Sequence, residues 1–122
     1  MNGVVTAARE AIVRLRLYGS QGLDTDVDAV LDTGFTEYLT LPLSWITMLA
    51  LPYLFTDHVT LADGSMVPVD LYEGIINWNG QDRAVTVHCL EGTPLIGMAL
   101  LFDHLLTAQV IDGGLVTIAP FP

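Results

Sequence analysis

Apolar and polar residues alternate along much of the chain, and a two-residue period predicts β-strands. From Ile12 to Leu17 aliphatic side chains alternate with two arginines, so one face of this segment is apolar and the other is charged. A turn over residues 19–22 leads to a second predicted strand, from about Thr25 to Leu31, which ends at Asp32. The pattern therefore predicts two half-buried strands joined by a tight turn.

Glycine-containing turns predict hairpins further along the chain. Extended segments at Val59–Leu61 and Met66–Tyr72 flank Ala62-Asp63-Gly64-Ser65, and Pro68 favours an edge or projecting strand. Two further hairpins are predicted, one at Asn79-Gly80 leading into Ala84–Leu90 and one at Asp112-Gly113-Gly114 between Val110-Ile111 and Leu115–Ile118.

Two short helices complete the prediction. One runs from about Trp45 to Leu51, with Ser44 as its N-cap and Pro52 just after its end. The other runs from Met98 to Leu106. No repeat, linker or low-complexity segment divides the chain, so residues 1–122 are predicted to form a single, mainly β, mainly antiparallel domain.

Composition and charge exclude several classes of function. The chain has 122 residues, of which 52% are hydrophobic and 15% charged, which is enough for one compact core and argues against disorder. Fourteen acidic residues against four basic ones give a formal charge of -10, so nucleic-acid backbones would be repelled. The single cysteine, Cys89, cannot form an internal disulfide.

The sequence favours neither a membrane-spanning segment nor a leader. Residues 38–55 carry no charge and nearly reach the length of a membrane span, but Pro42 and Pro52 interrupt them. A short buried helix is the favoured interpretation, and no membrane partner is expected. The N-terminal residues lack the basic start and apolar core of a signal peptide, so a cytoplasmic location is expected.

The segment Ala29-Val30-Leu31-Asp32-Thr33-Gly34 is the most informative, because an ionisable side chain follows an apolar strand. Alone it is typical of a strand-ending turn in which Asp32 accepts backbone hydrogen bonds. A second segment follows later, Thr93-Pro94-Leu95-Ile96-Gly97-Met98-Ala99-Leu100-Leu101, which joins an apolar pair and a glycine to a predicted helix. The combination favours a functional interpretation over an isolated turn.

Together the two segments resemble the retropepsin-like aspartic peptidases, a single-domain, retroviral-type family that also has bacterial members. In that family Asp-Thr-Gly ends a strand in the active-site turn, and an apolar-apolar-glycine segment packs behind it. The hairpin at Asp63-Gly64 stands where the family has its flap, and the hairpin at Gly113-Gly114 where it builds its dimer interface. The resemblance covers about residues 10–119 and implies a closed antiparallel β-barrel with two short helices.

By position, the resemblance makes Asp32 the catalytic acid and base, and Thr33 the residue that braces paired turns across a dimer axis. It makes Gly34 and Gly97 supporting residues of the active site. The substrate-binding residues that it implies are Phe35 in the pocket and Ala62, Asp63, Gly64 and Ser65 in the flap.

Peptide hydrolysis without a metal needs a base to activate water and an acid to protonate the carbonyl oxygen, and two carboxylates that share one proton can do both. This chain supplies one such motif, so the resemblance implies a C2 homodimer with one Asp32 from each subunit. We expect an aspartic endopeptidase that uses no cofactor and acts on peptide or protein substrates.

Three features depart from the family pattern. Phe35 stands where a small residue usually follows the glycine, and Met98-Ala99 replace a charged or polar pair. Pro68 and a single tip glycine suggest a stiffer flap. They leave open an alternative, a catalytically weak or inactive dimeric module of the same fold that binds peptides or proteins.

Other candidate motifs were weighed against this interpretation. Asp24–Asp28 has acids at alternate positions, as a calcium loop does, but Ala29 and Phe35 stand where that loop needs glycine and glutamate, so a solvated acidic turn is predicted. Cys89 is interpreted as a structural thiol. No metal site is predicted, because the histidines and the cysteine lack ligand spacing: His58, His88, Cys89 and His104.

Overall fold

The computed structural model describes all residues of the chain, 1–122. It contains ten strands and two short helices. The strands are β1 (Asn2–Val5), β2 (Ala11–Tyr18), β3 (Asp24–Leu31), β4 (Leu39–Leu41), β5 (Tyr53–Thr60), β6 (Met66–Trp78), β7 (Gln81–Cys89), β8 (Leu95–Ile96), β9 (His104–Ala108) and β10 (Leu115–Pro120). The helices are α1 (Leu43–Met48) and α2 (Met98–Leu101). The predicted mainly β class with two short helices is confirmed.

All ten strands belong to one sheet, in the order β5-β6-β7-β4-β8-β3-β2-β1-β10-β9. The sheet closes into a ring because β6 also pairs with β2, with Leu17 opposite Ile76 and Tyr18 opposite Ile75. Strand β5 extends from one side of the ring, and β1, β10 and β9 extend from another. Most strand pairings are antiparallel, as the pattern predicts, but the β3–β8 and β4–β7 pairings are parallel.

The ring encloses the hydrophobic core. Val13, Leu15 and Leu17 of β2 are buried, whereas the arginines between them are exposed, which confirms the predicted faces of this strand. Ile46 of α1 and Leu100 of α2 belong to the same buried cluster. Each buried aliphatic side chain contributes about 1.5–3 kcal/mol to folding, so this cluster is the main source of the domain's stability.

The outer face of β2 and β3 carries a ladder of ion pairs. Arg14 lies opposite Asp28 and Arg16 opposite Asp26, with N–O distances of 3.2 Å and 3.1 Å. The predicted strand from about Thr25 to Leu31 is confirmed as β3, and the prediction of a solvated acidic turn at Asp24–Asp28 is wrong, because backbone pairing with β2 makes this segment a strand. Both pairs are solvent-exposed, so each contributes only about 0.2–1 kcal/mol.

Helix α1 differs from the prediction at both ends. It begins at Leu43, after Pro42 in an extended conformation, so Ser44 lies inside the helix and does not cap it. The helix stops at Met48 because Ala50 adopts a left-handed conformation, with φ of 50°. This conformation redirects the chain towards Pro52 earlier than the apolar pattern predicts.

The predicted second helix, Met98–Leu106, is more than twice as long as the observed one. Helix α2 ends at Leu101, because Phe102 is extended and Asp103 is left-handed, with φ of 62°. The following residues form β9, which pairs with β10. The last hairpin is therefore built from β9 and β10, and Val110-Ile111 lie in the connection between them and not in a strand.

No helix in the structure is long and apolar enough to cross a membrane.

The hairpin of β5 and β6 projects from the ring. All eight residues of β5 are exposed, and this strand pairs only with β6. The predicted hairpin at Asp63-Gly64 and the projecting strand that contains Pro68 are confirmed, but β5 begins at Tyr53, well before the predicted start at Val59.

Candidate active site

Asp32 lies at the point where β3 leaves the sheet. Its N–H donates to the Ile96 carbonyl at 2.9 Å, which fixes the backbone at the end of the strand. Its Oδ1 accepts the Gly34 N–H at 2.9 Å, and its carbonyl accepts the Phe35 N–H at 3.1 Å. The residue is half-buried, whereas Thr33 and Gly34 are exposed. The turn therefore holds one carboxylate in a fixed orientation with access to solvent.

The parallel pairing of β3 and β8 explains why the two sequence segments meet. Strand β8 is inserted between β3 and β4, so the chain leaving β3 crosses the end of β8 before it returns as β4. Val30 lies opposite Leu95 and Leu31 opposite Ile96, which places the apolar pair directly beside the strand that ends at Asp32.

Gly97 and the first residues of α2 support the loop that follows the Asp32 turn. The N–H groups of Met98 and Ala99 donate to the carbonyls of Phe35 and Glu37, at 2.7 Å and 3.2 Å. A Cβ atom at Gly97 would lie 2.1 Å from the Glu37 carbonyl oxygen, so only glycine permits this approach. Backbone hydrogen bonds from the helix thus fix the position of the loop.

The predicted flap residues form the tip of the projecting hairpin. Asp63 Oδ1 accepts hydrogen bonds from the Ser65 hydroxyl at 2.6 Å and the Ser65 N–H at 2.9 Å. These bonds lower the pKa of Asp63, and Gly64 supplies the left-handed conformation of the turn, with φ of 84°. Ala62 and the other three tip residues are exposed, and none of them lines the cleft described next.

A cleft of about 380 Å³ separates the loop after Asp32 from the projecting hairpin. It is lined by residues of the loop (Gly34, Phe35, Thr36, Glu37), of β5 (Asp57, His58, Val59) and of the end of β7 and beyond (His88, Leu90). The structure therefore brings the predicted Gly34 and Phe35 together with β5. Asp32 and Thr33 do not line the cleft, and Asp32 is linked to it by the hydrogen bond that it accepts from the Gly34 N–H.

His88 is the most buried polar side chain of the cleft, with 7% of its surface exposed. The ring of Phe35 packs edge-on against it, with 5.8 Å between ring centroids. Its Nδ1 is buried and has no hydrogen-bond partner. Burial lowers the pKa of His88, although the charges of Glu37 and Asp57 oppose this shift, so the imidazole is neutral at pH 7.

Most of the residues that line the cleft were not predicted as site residues from the sequence, namely Thr36, Glu37, Asp57, His58, Val59, His88 and Leu90. They come from three separate segments, and no spacing in the sequence links them. One available signal was the histidine in an otherwise apolar part of β7, at His88.

No model of a known protein family matches this chain, and no curated protein shows significant similarity to it. The function is therefore inferred from the geometry and chemistry of the site itself.

Proposed function

We propose that the protein is an aspartic endopeptidase of the retropepsin-like type, with a barrel-shaped subunit and one Asp32 from each of two identical chains. The observation that carries the proposal is the Asp32 turn, in which the half-buried carboxylate accepts a hydrogen bond from the N–H of Gly34, a residue that lines the cleft. One side of the cleft is formed by β5 of the projecting hairpin, an element suited to cover an extended peptide.

In this proposal the two Asp32 carboxylates share one proton, because like charges about 3 Å apart cannot both ionise easily. The ionised carboxylate takes a proton from water, whose oxygen attacks the peptide carbonyl carbon. The protonated carboxyl group gives its proton to the carbonyl oxygen. The tetrahedral intermediate then collapses: one of its hydroxyl groups gives its proton to the ionised carboxylate, the C–N bond breaks, and the leaving nitrogen takes a proton from the protonated carboxyl group, so the pair again holds one proton. Thr33 braces the two turns, and the flap excludes water.

The outer strands support the association of two copies. Strands β1, β9 and β10 contain no aspartate, glutamate, lysine or arginine, although the chain as a whole has a formal charge of -10. Val4 lies opposite Leu115, and both are more than 40% exposed, as is Leu105 of β9. An uncharged, partly apolar surface lets two acidic subunits approach without strong repulsion.

The position of Phe35 removes one ground for the alternative of a catalytically weak or inactive binding module, because the side chain does not fill the cleft. Its ring packs against His88, and its Cδ2 lies 2.5 Å from where a Cβ of Gly97 would be. The large side chain is thus accommodated partly by the glycine behind the turn, and the cleft of about 380 Å³ remains beside it.

The test is Asp32→Asn, assayed on an unfolded protein substrate with and without a statine peptide that mimics the transition state. We expect cleavage to fall by about a thousandfold, because general acid–base catalysis requires the carboxylate. The circular dichroism spectrum and the dimer mass from sedimentation should not change. Asp28→Asn, on the same strand, is the matched control and should keep its activity.

Two results would contradict the proposal: cleavage by Asp32→Asn at the wild-type rate, or a wild-type chain that sediments only as a monomer. Binding of peptides without any cleavage by the wild type would indicate the binding module instead.

A peptidase with a singly protonated pair should also be most active at acidic pH, and activity that keeps rising above neutral pH would count against it.

A further inference from the structure

We propose that two copies of the chain join edge to edge through β9, which pairs with β9 of the partner subunit in an antiparallel ladder centred on Leu106. The inference rests on the proposed function for the existence of a dimer. It adds the strand and the register through which the two copies pair.

The sheet has two open edges. Although it closes into a ring, β5 and β9 each pair with a single neighbouring strand. An edge strand presents N–H and C=O groups without partners, and proteins usually protect such edges with charged side chains, prolines or bulges. An edge that lacks this protection is free to accept a further strand.

The edge of β5 is protected. A register shift near its start interrupts the pairing with β6, and such a bulge bends the strand. The Leu61 N–H donates to the Ser65 carbonyl, so the alternation of an antiparallel ladder turns the N–H of His58 away from β6. That N–H donates instead to Asp57 Oδ1 at 2.8 Å. A charged side chain thus occupies the middle of this edge.

The edge of β9 has none of these features. The strand contains no aspartate, glutamate, lysine, arginine, proline or glycine, and its register with β10 is continuous from His104 to Ala108. In a chain with a formal charge of -10, two uncharged edges can approach each other without strong repulsion.

Hydrogen bonds at both ends of β9 show which of its backbone groups point outward. The Gln109 N–H donates to the Leu115 carbonyl and the Phe121 N–H donates to the Asp103 carbonyl, both at 2.9 Å. Odd-numbered residues therefore bond to β10, and the even-numbered residues turn their N–H and C=O groups towards the open edge. These residues are His104, Leu106 and Ala108.

A second copy of β9 is complementary to this edge. When Leu106 lies on the twofold axis, it exchanges both backbone hydrogen bonds with the partner's Leu106, and His104 pairs in the same way with the partner's Ala108. Every outward N–H and C=O group of the strand then has a partner. A register shifted along the strand leaves some of these groups unpaired, so the centred register is favoured.

Exposed apolar side chains beside β9 support the same pairing. Phe102 precedes the strand and Val110 follows it, and these side chains are 74% and 78% exposed. Because the start of one strand lies beside the end of the other in an antiparallel pair, Phe102 of each copy would approach the partner's Val110. The pairing would therefore remove apolar surface from water.

The experiment is hydrogen–deuterium exchange of the wild-type chain, at protein concentrations above and below the dimer dissociation constant from sedimentation. Mass spectrometry with electron-transfer fragmentation resolves single amides. The N–H groups of Leu106 and Ala108 make no bond to β10, so pairing between copies is expected to slow their exchange. We expect exchange in the dimer to be at least about a hundredfold slower than in the monomer. The Thr60 N–H, which points outward from β5, should exchange equally fast in both.

Ala108→Pro provides a second measurement. It removes one outward donor from each subunit and keeps the bonds to β10, because proline is tolerated at strand edges. The dimer dissociation constant should rise by at least about thirtyfold, with an unchanged circular dichroism spectrum. Thr60→Pro is the matched control, since it makes the same change at the edge of β5, and it should leave this constant unchanged. If Thr60→Pro weakens the dimer as much as Ala108→Pro does, the inference is wrong.

The two proposals fail in different ways. If the wild type is a dimer that cleaves peptides but the Leu106 amide exchanges equally fast at both concentrations, the β9 pairing is wrong and the peptidase proposal stands. If the Leu106 amide is protected in the dimer but the wild type cleaves no peptide, the peptidase proposal is wrong and the β9 pairing stands. A chain that remains a monomer would overturn both.

Discussion

Gly97→Ala should destabilise the domain by moving the loop that follows Asp32. The backbone at Gly97 is extended, with φ of -102° and ψ of 178°, which alanine adopts at no cost. The added Cβ, however, would lie 2.1 Å from the Glu37 carbonyl oxygen and 2.7 Å from that of Phe35. Because these are backbone atoms, no side-chain rotation relieves the collision, and the loop must move away from α2.

The loss in free energy of unfolding caused by Gly97→Ala follows from the contacts that the movement of the loop breaks. The hydrogen bonds from Met98 to Phe35 and from Ala99 to Glu37 are worth about 0.5–1.5 kcal/mol each, and overpacking costs about 1–3 kcal/mol. We expect a loss of about 3 kcal/mol in the free energy of unfolding. In urea, with a slope of about 2 kcal/mol/M, the midpoint should fall by about 1.5 M.

Gly22→Ala is the matched control, because it isolates backbone strain from collision. Gly22 has φ of +76°, and a Cβ there would meet nothing within 4 Å. Its substitution should cost only about 1 kcal/mol, the strain of a left-handed alanine. If Gly97→Ala shifts the urea midpoint no further than Gly22→Ala does, the loop is not held by α2 as described.

Three further predictions concern titration and hydrogen bonding. Burial lowers the pKa of His88 from 6.5, so near and below that pH the unfolded chain binds more protons than the folded chain, and the stability should fall as the pH drops. His88→Phe should flatten this part of a plot of urea midpoint against pH. An unchanged plot would contradict a lowered pKa of His88. Trp78 is buried and donates its indole N–H to His104 Nε2 at 3.0 Å. His104→Phe leaves that donor unpaired and should lower the free energy of unfolding by about 1–3 kcal/mol. An unchanged melting temperature would mean that water replaces the imidazole as the acceptor. Ser65→Ala should raise the pKa of Asp63 towards its usual value in an NMR titration, since the Ser65 hydroxyl makes the largest contribution to lowering it; an unshifted titration would contradict this.

The sequence alone determined the strands and turns that depend on the preferences of neighbouring residues. Alternation places the apolar face of β2 on the core, because successive side chains of a strand point to opposite sides. The hairpins at Asp63-Gly64 and Asn79-Gly80 follow from residues that tolerate positive φ, and the structure has Gly64 and Gly80 at φ of 84°. The Asp32 turn was likewise visible as a carboxylate after an apolar run.

Some strands are too short for a sequence pattern to predict them, and they form only because of tertiary pairing. Strands β4 and β8 have three and two residues, and they exist only because the neighbouring strands of the ring supply their hydrogen bonds. Residues 104–106 continue the apolar run that predicts the second helix, but pairing with β10 makes them part of β9.

The cleft is also a product of the tertiary structure. Insertion of β8 between β3 and β4 sets the path of the loop that carries Glu37, and the register of β5 on β6 sets the position of Asp57. His88 joins them from β7, which pairs with β4 on one side and β6 on the other. Residues distant in sequence meet there because the ring closes, and no local preference encodes that closure.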